Sequence, residues 1–267
     1  MHPIALSPTD LAVGSSLIFL CALLSLLLSL GIHRTLLWAA ARMVVQLLLI
    51  GFVLRFVFSV GSPWLTALVA LVMAGATTYE VGARQDRRLT AGWHYGVGGG
   101  ATVISTLIIV VLALTTALRP HPWYDARHAL PLTGIILGGV MNSVSLSLNS
   151  LFNGAVRERA AIEARLALGD SRYAALRDLA AQSIRTALIP TINQMMAAGL
   201  ITLPGIMTGQ LLAGMDPVSS AKYQILLMFL LVGGNCCGAF AAVFLVLQRL
   251  TDKRDRLRLD RLHSARA

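Results

Sequence analysis

The sequence predicts an all-α polytopic membrane protein with about seven transmembrane helices, its N-terminus outside and its C-terminus cytoplasmic. Three observations carry this reading. Of 267 residues, 56% are hydrophobic and only 13% charged, against about 25% charged in ordinary soluble domains. The apolar residues fall in runs of roughly the 20 residues that cross a bilayer. The cations gather in alternate loops, as they do on the cytoplasmic side of membrane proteins.

The spans follow in order. Segment 11–32 is too long for a secretory leader, and Met1 to Asp10 holds no Lys or Arg. Segment 43–60 follows Arg42, which shares a helical face with Gln46 and is placed to snorkel to the surface; Arg55 lies toward its outer end. Segment 64–80 is short and closes on Tyr79 and Glu80. Segment 97–118 opens from the glycines of Gly96–Gly100, which suit close helix packing; no strand precedes them to make a phosphate loop. Segment 130–152 carries a polar stripe. Segment 186–214 is interrupted at Pro204-Gly205 and reads as a broken helix, or as two crossings, which would make eight. Segment 224–248 contains Asn235, Cys236 and Cys237.

Orientation comes from charge. Of the 22 Lys and Arg residues, 18 lie in 31–42, 80–96, 153–185 and 249–267. These loops are therefore cytoplasmic. The expected organisation is one membrane domain over 1–267, with a cytoplasmic loop at 153–185 and a basic, lipid-facing cytoplasmic tail at 249–267. A formal charge of +10 on arginines set between apolar runs argues for topology and against nucleic acid as a partner. Cys21, Cys236 and Cys237 all sit in apolar stretches and imply no disulfide framework.

Enzyme motifs are missing. Neither Lys222 nor Lys253 follows a glycine, so there is no Walker A loop; H-E-x-x-H and G-x-S-x-G do not occur. The loop 153–185 is rich in Ala, Leu, Arg and Glu, which favour helix. Gly169-Asp170-Ser171 interrupts it, with Asp170 or Ser171 able to cap a second helix. The expected form is helix, tight turn, short helix, under the membrane.

Within that loop Glu163-Ala164-Arg165, then Gly169, then Leu188-Ile189-Pro190 resemble the EAA signature of ABC-transporter permeases, with Arg in the third position. Residues 190–224, with their run LPGIMTGQLLAG, resemble the FetB/YbbM-type permease family, as do 42–54 and 141–152; the resemblance covers roughly 40–250. That family contains bacterial iron or metal exporters and plant relatives linked to aluminium tolerance. The resemblance implies a permease in the cell inner (plasma) membrane, paired as a homodimer and driven by a cytoplasmic ATP-binding subunit. No cofactor is expected on this chain, and ATP is expected on the partner subunit. Glu163, Ala164, Arg165, Gly169, Asp170 and Ser171 would form the partner-coupling element.

Polar residues inside apolar spans are expensive in lipid and mark a candidate pathway. Asn142, Ser145 and Asn149 share one helical face. Asn193, Gln194 and Met195 lie in the interrupted segment, with Met207 and Gln210 after its break. Glu80 offers an oxygen ligand of the kind hard cations prefer. No resident metal site is assigned. The competing reading is an ion-coupled secondary transporter, whose mark would be mid-membrane carboxylates; the sequence places none there.

Overall fold

A computed structural model describes residues 7–90, 92–252 and 254–264. The chain forms two units, one running to Ser62 and including Leu212–Gly214, the other comprising Pro63–Leu211 and the residues from Met215 onward.

In the first unit, α1 (Pro8–Leu27) starts at a reciprocal cap: the Asp10 N–H donates to Ser7 Oγ (3.3 Å) and the Ser7 N–H to the Asp10 carboxylate (2.8 Å). A turn with positive φ at Ser29 and Gly31 leads to α2 (His33–Val60), which packs along α1. Gly61, at φ +64, ends α2 and donates its N–H to the Val57 carbonyl. Most side chains of both helices are exposed and apolar, among them Leu47, Leu48 and Phe52. Lipid tails are as apolar as leucine, so such a surface is at home in a bilayer.

The second unit is built around one long helix. It begins with α3 (Pro63–Ala83). Tyr95–Leu118 is then a continuous rod in which α4 (Gly100–Leu112) lies between π-helical turns at Tyr95–Gly99 and Ala113–Leu118. The central helix α5 (Ala126–Arg157) packs against α3, α4, α8 and α10, burying Ile136, Val140, Val144, Leu148, Leu151 and Phe152. After it come α6 (Arg159–Ala167), α7 (Arg172–Ala175), α8 (Arg177–Ala197), α9 (Gly205–Leu212) and α10 (Pro217–Leu250). Small residues set the helix spacing. A methyl group at Gly139 or Gly238 would overlap Leu231 or Val140 respectively, so α5 and α10 approach closely there.

Six helices among the described residues are long and apolar enough to cross a membrane: α1, α2, α3, the Tyr95–Leu118 rod, α5 and α10. The seventh expected run, 186–214, has a different form. Its helix starts earlier, at Arg177, inside the stretch read as cytoplasmic loop, and ends at Ala197. The break therefore precedes Pro204: Gly199, at φ +86, donates its N–H to the Thr202 carbonyl (2.9 Å) before the short α9 begins. Arg177, Asp178 and Arg185 make the first half of α8 polar. At eight residues, α9 is about 12 Å long, well short of a hydrocarbon core of about 30 Å.

The basic segment expected as a lipid-facing tail at 249–267 has local structure of its own. Beyond α10 the chain turns at Asp252, whose carboxylate accepts from the Arg254 and Arg256 N–H groups (2.9 and 3.0 Å). It then folds back, and β2 (Leu262–Ser264) pairs antiparallel with β1 (Arg87–Leu89) from the α3–α4 connection.

Candidate functional site

The hairpin 159–178 follows directly from local sequence. Gly169 takes φ +99, which a residue with a Cβ adopts at a cost, and so lets α6 stop and the chain reverse. Ser171 caps α7, its hydroxyl accepting from the Ala174 N–H (3.3 Å). Arg165 then ties the pieces together. Its Nε donates to Asp170 and its Nη1 to Asp178, both at 3.0 Å. Donation to Asp170, and next to Asp178, raises the Arg165 pKa and holds it charged. Glu163 accepts from Arg159 at 2.8 Å, and Ala164 is exposed beside it.

The base of the hairpin is rigid. Ile162, Ala175, Leu176 and Leu179 belong to the main hydrophobic core. Gly154 of α5 lies so close to Leu179 of α8 that a methyl group there would overlap it. Tyr173 stacks on Phe244 of α10 at 5.8 Å, and Arg172 pairs with Asp255 of the folded-back segment at 2.9 Å. The tip is bare: Leu168 is 88% exposed. A charged, partly apolar knob is thus fixed to α5, α8 and α10 at once.

The polar stripe of α5 has a structural use. Arg84 Nη1 donates to Asn142 Oδ1 (2.9 Å), and Arg84 Nε lies 3.4 Å from the Glu80 carboxylate. Asn149 clamps the adjoining backbone, accepting from the Asp86 N–H (3.1 Å) and donating to the Arg84 carbonyl (3.2 Å). Asn153 accepts from Arg87 (3.2 Å). So Glu80, Asn142 and Asn149 come together around the α3 terminus, with Arg84 as the link. Ser145 is buried, and its hydroxyl has no hydrogen-bond partner among the described residues.

The other expected pathway residues lie apart. Asn193, Gln194 and Met195 are exposed at the end of α8. Met207 and Gln210 are half-buried in α9, and the Gln210 Oε1 has no hydrogen-bond partner among the described residues. No hydrogen bond joins Asn193, Gln194 or Gln210 to the Glu80–Arg84–Asn142 chain among those residues.

Other polar pairings are visible only in the structure. Asn235 of α10 donates to Thr191 of α8 at 2.8 Å, both buried, and Ser143 donates to the Ala187 carbonyl at 3.4 Å. Asn153 extends the α5 stripe by the i, i+4 step from Asn149, a spacing that could have revealed it. At the other end of the unit, His121, Asp125, His128 and Lys222 line a cavity of about 510 Å³. Among the described residues, no group of three or more His, Cys, Asp or Glu side chains could hold a metal ion.

Residues 8–251 match the family described as "Uncharacterised protein family (UPF0014)". The chain belongs to this family. It is 36% identical over 249 residues to "UPF0014 membrane protein slr1647" of Synechocystis, covering 92% of this chain and 95% of that one. It is 30% identical over 248 residues to "Probable iron export permease protein FetB" of Escherichia coli, covering 93% of each. It is 31% identical over 232 residues to "UPF0014 membrane protein STAR2" of rice, covering 87% of this chain and 79% of that one. No solved structure matches. This UPF0014 chain is a multi-span membrane protein, and the resemblance read from LPGIMTGQLLAG holds over nearly its whole length.

Proposed function

We propose that this UPF0014 protein is the membrane-spanning permease subunit of an ABC transporter, exporting a metal ion, iron, with energy from a separate cytoplasmic ATPase. The observation that carries this is the hairpin with Leu168 at its tip. A permease without a nucleotide site needs a stiff handle to receive motion from its partner. The hairpin supplies one, since Arg165 braces both arms and its base is part of the core. The name of the Escherichia coli relative supports both substrate and direction. Arginine placement supports a cytoplasmic hairpin and C-terminus, seven crossings with α8 and α9 together making one, and residence in the cell inner membrane.

In this reading ATP binding closes the partner subunits, and the hairpin passes the displacement to α5, α8 and α10. A partner shifts such an equilibrium only by binding one conformation better than another. The exposed Asn193, Gln194 and Met195, and the half-buried Met207 and Gln210, line the route, which is completed across a permease homodimer. The test is iron movement in proteoliposomes holding the chain with its ATPase. ATP-dependent iron transport is expected; iron movement that follows an ion gradient and ignores ATP would refute it.

A further inference from the structure

We propose a binding site for a phosphate group on the arginine-rich face, in the cavity of about 270 Å³ lined by Leu89, Thr90, Trp93, Arg249 and Arg261. The folding back of the C-terminal segment creates it. The Thr90 N–H donates to the Arg261 carbonyl (2.9 Å), so β1 and β2 hold Arg261 beside the start of the Tyr95–Leu118 rod. Arg261 Nη1 then donates to the Arg249 carbonyl at the end of α10 (2.7 Å). The Arg249 guanidinium lies 3.4 Å over the Trp93 ring. Two guanidinium groups are thus fixed at the mouth of one cavity by a carbonyl and an aromatic face.

Among the described residues Arg249 has no carboxylate partner, and Arg261 forms no salt bridge, only a longer-range attraction to Asp260. The nearby acids are engaged elsewhere: Asp252 with Arg256, Asp255 with Arg172, and Asp260 with Arg258. Converging cations repel each other, and with Asp260 bonded to Arg258 the attraction left for Arg261 is partial, so an anion between Arg249 and Arg261 lowers that cost. Guanidinium forks match phosphate oxygens, and the Thr90 hydroxyl adds a further hydrogen-bonding group. Trp93 and Arg249 stand where two membrane helices begin and end, the level of lipid headgroups. The ligand class is therefore a phosphate group, supplied by an anionic phospholipid headgroup or by free phosphate. The inference does not depend on the transport reading.

The test uses the full chain, delipidated in neutral detergent and titrated with phosphatidylglycerol, phosphatidylcholine and inorganic phosphate while Tm and binding are recorded. Phosphatidylglycerol is expected to raise Tm and to bind about tenfold more weakly to Arg261→Gln. Arg87→Gln removes the same charge from the same sheet without freeing a carboxylate, since Arg87 bonds to Asn153, and is expected to behave as the native protein. If inorganic phosphate reproduces the shift and displaces the lipid, free phosphate is the source and the site stands. If Arg261→Gln lowers Tm without lipid, Thr90→Val, which leaves the Arg261–Arg249 contact intact, is expected to show the weakened binding instead. The site is overturned if the native protein responds to neither phosphatidylglycerol nor inorganic phosphate, if phosphatidylcholine acts as strongly as phosphatidylglycerol, or if Arg261→Gln and Thr90→Val both titrate as native. An equal loss in Arg87→Gln also overturns it, since that marks a diffuse basic surface.

Discussion

Arg165 of α6 reaches Asp178 of α8 at 3.0 Å while holding Asp170 in the turn at the same distance. One side chain thereby closes the hairpin from both sides. These pairs are substantially exposed, so solvent screening leaves each a small contribution to stability. Their value is in stiffness.

Arg165→Ala is therefore expected to leave Tm within a few degrees of native while hydrogen exchange across 159–178 rises. Coupled transport should fall several-fold. Unchanged exchange in this segment would show that the brace carries nothing.

Gly154→Leu should act at the base of the hairpin. The larger side chain must displace Leu179 in a packed core, which costs about 1–3 kcal/mol. A lowered Tm is the expected result. A native Tm would mean that α5 and α8 can part without penalty.

Much of this was legible in the sequence, and the reasons are local. The apolar runs are long, and Gly169 and Ser171 are a helix stop and a helix cap whose chemistry needs no tertiary context. The start of α8 is not legible, because Arg177, Asp178 and Arg185 make this helix begin with polar residues. Nor was the return of 252–264 onto 87–89: three-residue strands leave no periodicity, and the pairing joins residues far apart in sequence. Spacing alone puts Asn142 and Asn149 on one face, but only the structure shows that Arg84 and the 84–86 backbone occupy them.

Asn149→Ala tests that last point. It removes both side-chain bonds to the α3–α4 connection and should cost about 1–3 kcal/mol. Faster hydrogen exchange is expected at 84–90 and, through the sheet, at 262–264. Exchange confined to the first stretch would show that β1 and β2 hold without the clamp.

Acid should release the folded-back segment in a defined window. Bonding from Arg258 lowers the Asp260 pKa to about 2, and the Arg256 backbone N–H lowers that of Asp252. Both folded-state values lie below the unfolded one of about 3.9. Their contribution is therefore full above about pH 4 and is lost as pH falls through the folded-state values, toward about 2 for Asp260. Hydrogen exchange of 254–264 should be insensitive to pH-driven release from 7 to 5, after correction for intrinsic rates, and should rise below 4. Release already at pH 6 would contradict this assignment.

The most direct test of the coupling role is a pull-down of the full chain from gently solubilised membranes, followed by an ATPase assay. The native chain is expected to bring down a stoichiometric ATP-hydrolysing partner. The double variant Glu163→Ala, Gly169→Leu should insert normally and lose it. A chain that purifies alone in several mild detergents, with no associated hydrolysis, would contradict the ABC permease assignment.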